Sequence, residues 1–134
     1  AGQSGNTGCQ TLAITLRGFA LGDVDKRPKL NLVLKEGVLG VVNGALVGLV
    51  AAAAMWFYAL QQPDTAPQAP MLALVILLAM VGACVVSGVA GVMIPLILRR
   101  IGADPAVASA IFLTTITDII GMGLMLALAT MLVS

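Results

Sequence analysis

Residues 105–133 read PAVASAIFLTTITDIIGMGLMLALATMLV, and this stretch decides the fold. It runs for 29 residues with a single charge, Asp118. A bilayer crossing takes about 20 mostly apolar residues, so the stretch is long enough to span a membrane. Working outward from it, residues 71–98 and residues 37–60 contain no Lys, Arg, Asp or Glu. Each is again long enough to cross, with room for tilt. Residues 9–21 are also apolar but too short for a crossing of their own, and they include Arg17. They read as the end of a truncated helix.

The composition agrees with these spans. Of 134 residues, 60% are hydrophobic and 10% charged, against roughly 45–50% apolar and about 25% charged in soluble domains. A soluble globular fold is excluded. The fold class expected is an all-α polytopic transmembrane helix bundle. It has three full spans, 37–60, 71–98 and 105–133, preceded by a helix end within 1–22 and a cytoplasmic linker over 23–36. The chain has no His, which removes imidazole as base, shuttle or ligand. Its two cysteines, Cys9 and Cys84, lack the spacing of a zinc site, so any cation must be held by oxygen. A net charge of +1 gives no footprint for a nucleic-acid partner.

Orientation follows from the basic residues. Lys26, Arg27, Lys29 and Lys35 precede the first full span, Arg99 and Arg100 follow the second, and the loop QQPDTAPQAP over 61–70 has no Lys or Arg. The positive-inside rule places the basic ends in the cytoplasm and that loop outside. Trp56 and Tyr58 then fall at the outer interface, where aromatic belts form.

Asp118 is the most informative residue. At ~1.5 Å per residue it lies about 20 Å from either end of its span, near the bilayer midplane. An ionised Asp there costs on the order of 2.5–3.5 kcal/mol on insertion scales, so it should face a cavity, a partner or an ion. Ala110, Thr114, Asp118, Gly121 and Met125 recur at helical spacing, with Thr115 nearby. Small and oxygen-bearing groups thereby share the carboxylate's face, as in a pore wall. A plainer role is helix packing, with the threonines bonded to their own preceding carbonyls. The absence of a basic residue at similar depth favours function. Asn6 and Gln10, in a polar stretch unusual at membrane depth, are further candidates for the pore lining. Gly37, Gly40, Gly44 and Gly48, and Gly88 and Gly91, recur at the spacing that lets helices approach closely and are read as packing. Asn43 is expected to bond between helices, and Lys35 and Glu36 to reach the membrane interface.

Three segments together resemble the membrane domain of the MgtE magnesium channel/transporter family. They are GNTGCQTLAITLRGFALGDV (5–24), LKEG (34–37) and LRRIGADPAVASAIFLTTITDIIG (98–121). The resemblance implies a homodimer of five-helix subunits in a membrane, with a central pore lined by the second and fifth helices. This chain would then hold the end of the second helix and the third, fourth and fifth. The family's pore carboxylate falls on Asp118, and its other ion-facing positions on Ala110 and Thr114. Ala110 stands where some members carry a polar residue.

Mg²⁺ would be the transported and bound ion, and the bacterial inner membrane the location. Mg²⁺ dehydrates reluctantly and keeps several waters. Two Asp118 carboxylates across a two-fold axis would balance its charge. The alternatives are a proton-coupled divalent-cation carrier and a non-transporting membrane scaffold or accessory subunit. An enzyme is not expected, since one deep carboxylate without a second acid or base makes no acid/base pair.

Overall fold

The computed structural model describes residues 2–26 and 28–133, and everything below concerns these. It is all helical: α1 (Gly2–Ala20), a single turn α2 (Asp23–Lys26), α3 (Lys29–Leu60), α4 (Ala69–Arg100) and α5 (Pro105–Val133), with a short 3₁₀ turn at Ala66–Gln68 leading into α4. Three helices are long and apolar enough to cross a membrane, and they contain the three expected spans. The stretch read as a linker, 23–36, is helical over most of its length, because α3 begins at Lys29. α1 likewise begins well before the apolar run, with Ser4, Thr7 and Gly8 already buried.

α4 is the central element. It packs most extensively on α3, then on α5 and α1, whereas α1 and α3 barely touch. Glycine sets the α3–α4 distance. A Cβ at Gly40 would stand 2.7 Å from the carbonyl oxygen of Cys84, and one at Gly44 2.7 Å from Cα of Val81. One at Gly88 would stand 2.8 Å from the carbonyl oxygen of Glu36. These are contacts with backbone, which cannot swing aside, so the small residues are what allow the two helices to meet. Gly37 lies at the edge of this seam, with only Val89 nearby.

α1 seats on α4 by the same means. Gly91 faces the carbonyl oxygen of Gly8 and Cβ of Thr11, and the Ser87 hydroxyl donates to the carbonyl oxygen of Ser4. At the far end of α1, the Arg99 guanidinium lies 4.9 Å from the centroid of the Phe19 ring, a cation–π contact. The α4–α5 turn is closed by Gly102 at φ +80°, a backbone conformation that a side chain disfavours.

Candidate functional site

α5 presents one buried stripe and leaves the rest of its surface uncovered. Ser109, Leu113, Thr117 and Gly121, each four residues apart, are buried. Ala110, Thr114, Thr115 and Asp118 are exposed on the single chain. Gly121 therefore belongs to the packed stripe, at the border of the open face.

Asp118 has no hydrogen-bond or ion-pair partner among the described residues. The hydroxyls around it are differently placed. Thr114 donates to the carbonyl oxygens of Ala110 (3.1 Å) and Ile111 (3.2 Å), and Thr115 to that of Ile111 (2.9 Å). The back-bonding considered as the plain role of these threonines is thus present. It consumes each hydroxyl's proton and leaves the oxygen lone pairs as acceptors. An array of acceptors beside a carboxylate suits the water shell of a cation.

α1 joins this face. A Cβ on Gly5 would come 3.9 Å from Oγ1 of Thr117, and one on Gly8 3.0 Å from Cδ1 of Leu113. The two helices therefore run antiparallel, meeting through residues immediately before Asp118 and Thr114. Asn6 and Cys9, which follow the α1 contact residues, are exposed at the same levels. Gln10 is also exposed, but it lines a separate cavity between α1 and α3, together with Thr7, Thr11, Glu36 and Asn43. Ala110, Thr114 and Asp118 share the exposed face of α5, whereas Asn6 and Gln10 share the exposed face of α1, where Gln10 also lines the cavity toward α3.

Behind α1 lies a polar cluster that sequence reasoning assigned differently. Glu36 was expected to reach the membrane interface, yet it is 3% exposed. Its Oε2 accepts a 2.9 Å hydrogen bond from Thr11. Asn43 makes the interhelical bond expected of it, donating to Thr7 at 2.7 Å. The signal for Glu36 was its phase, since it stands four residues before Gly40 and so heads the buried Gly40, Gly44, Gly48 stripe. Thr7, Thr11 and Thr15 supply a matching four-residue repeat on α1, all buried. Among the described residues no three His, Cys, Asp or Glu side chains gather at one point.

Comparison with known proteins agrees with the sequence resemblance. The profile of the family described as "MgtE: Divalent cation transporter" matches residues 1–128. Proteins named Magnesium transporter MgtE are similar to this chain in three bacteria. The one from Enterococcus faecalis is 36% identical over 118 residues, covering 88% of this chain and 24% of the relative. That of Bacillus subtilis is 27% identical over 130 residues, covering 97% and 27%. That of Thermus thermophilus is 28% identical over 131 residues, covering 98% and 27%. The chain spans about a quarter of the length of these curated relatives.

Proposed function

The chain belongs to the MgtE family of divalent cation transporters, a family of integral membrane transporters and not of enzymes, and on that premise we propose that it forms one wall of a magnesium pore. The pore lies at the axis of a homodimer, and Asp118 is its ion-facing carboxylate.

One observation carries this reading. Asp118, halfway along a helix long enough to cross a bilayer, is exposed on the single chain and has no partner. A charged side chain at that depth cannot be left against lipid, and faces a bundle interior or a water-filled cavity. A second copy whose two-fold axis runs along this face supplies both, and an axis passing beside Asp118 sets each carboxylate opposite its counterpart. The pair carries a formal charge of −2, which matches one Mg²⁺. The ion keeps most of its water. The carboxylates and the lone pairs of Thr114 and Thr115 accept from that water, with the small side chains of Ala110 and Cys9 leaving width beside them and Asn6 on the exposed face of α1. Gln10 borders the pore helix on its α3 side.

The reading is tested by Mg²⁺ flux into proteoliposomes loaded with a magnesium-sensitive dye. Asp118→Asn, which keeps the shape and removes the charge, abolishes flux while the dimer persists in size-exclusion and crosslinking measurements. Flux in the Asn variant equal to the parent's overturns it, and so does a parent that remains monomeric in lipid while still conducting.

A further inference from the structure

Beyond the end of α1 the chain folds back on itself. Gly22 at φ +70° reverses it, in a conformation that side chains disfavour, and the short α2 then lies over Gly18. A Cβ at Gly18 would stand 2.7 Å from Cγ2 of Val24, which is buried there. The end of α1, α2 and the start of α3 enclose a cleft of about 300 Å³. Since α1 and α3 barely touch, the cleft fills the place where the two helices stand apart.

Its lining divides by chemistry. Arg17, Lys35 and Asp23 supply the charge, with Thr15 beside them, and Ile14, Leu21, Val24 and Leu32 supply walls of carbon. Arg17 is exposed and has no hydrogen bond or ion pair to another described residue. Lys35 stands 4.0 Å from Glu36 on a side chain that is 60% exposed. That distance is beyond hydrogen-bond reach, so the ammonium protons are free for another acceptor. Two cations and the exposed Asp23 leave the cleft with one net positive charge.

Depth orders these groups. Arg17 lies in the last turn of α1 and Lys35 within the first two turns of α3, which sets the cleft at one end of the helices, where the bilayer core gives way to headgroups. Ile14, 54% exposed, lies three residues before Arg17, or about 4.5 Å deeper along α1. Charge at the surface with carbon beneath it is the order of head and tail in a phospholipid.

We infer that this cleft holds the headgroup of an anionic phospholipid, its single phosphodiester charge between Arg17 and Lys35 and its acyl chains running over Ile14. Basic pockets between membrane helices take anionic headgroups. The apolar walls favour an amphiphile over a free phosphate, and the net positive charge favours an anionic head over a zwitterionic one. A lipid here joins α1 to α3 at the end where they stand apart. The inference rests on the chain's place in a membrane and is independent of the pore reading.

Native mass spectrometry of the delipidated protein with added phosphatidylglycerol tests it. One phosphatidylglycerol is expected per chain, with phosphatidylcholine, whose choline cancels the phosphate charge, retained about fivefold less or weaker still. Arg17→Gln and Lys35→Gln each lower phosphatidylglycerol retention about fivefold, the worth of one basic residue at an anionic surface. Lys29→Gln, at an exposed lysine outside the cleft, leaves it unchanged. Arg17 has no internal polar contact to lose, so Arg17→Gln decides the matter if Lys35→Gln does not fold. Equal retention of the two lipids overturns the inference. So does a loss in Lys29→Gln equal to that in Arg17→Gln, which marks diffuse attraction to basic residues. Displacement of phosphatidylglycerol by an equimolar amount of glycerol 3-phosphate overturns the lipid as occupant in favour of a free phosphate.

Discussion

Thr11 on α1 donates a 2.9 Å hydrogen bond to Glu36 on α3, across a pair of helices that otherwise barely touch. With the Asn43 to Thr7 bond, it fixes α1 from behind while the opposite side of the helix faces the Asp118 seam. Thr11→Val keeps the side chain's shape and leaves Oε2 of Glu36 unsatisfied. The expected cost is about 1–3 kcal/mol, read as a lower unfolding midpoint in a denaturant titration in mixed micelles. An unchanged midpoint would show that the bond contributes nothing net.

Gly44 and Gly123 give a matched pair of substitutions. An alanine Cβ at Gly44 would meet Cα of Val81 at 2.7 Å, whereas at Gly123 it would meet nothing within 4 Å. Gly44→Ala should destabilise by roughly 1–3 kcal/mol, the range for overpacking, and Gly123→Ala should not. Gly44→Leu should prevent the α3–α4 seam from closing. In any Gly44 variant that remains folded, the preference among Mg²⁺, Mn²⁺ and Ca²⁺ should match the parent's, since no pore group has moved. A changed preference at unchanged stability would assign the glycine stripe to function.

The long helices and the glycine seam are legible in the sequence because each follows from one property: runs without charge, and small residues at four-residue spacing. Asp118 is legible because its depth in a 29-residue helix makes its charge expensive. Glu36 was harder to place. Its neighbour Lys35 is exposed, and the pair resembles interfacial charge until the phase of Gly40, Gly44 and Gly48 is extended back to it. That Gln10 also borders α3 could not be read at all, since its place on the exposed side of α1 says nothing of where α3 lies.

Membrane orientation is open to chemical labelling. In a background free of Cys9 and Cys84, Thr65→Cys should react with an impermeant thiol reagent added outside sealed cells, and Arg100→Cys should not. The distribution of Lys and Arg requires that result. The reverse pattern would invert every span.

The most direct measurement compares Mg²⁺ influx in proteoliposomes for the parent and for Asp118→Asn at equal dimer content, with crosslinking confirming assembly in both. A dimeric Asn variant that passes no Mg²⁺ is the result expected if paired carboxylates form the ion's station. A dimeric Asn variant that conducts Mg²⁺ at the parent's rate would contradict it.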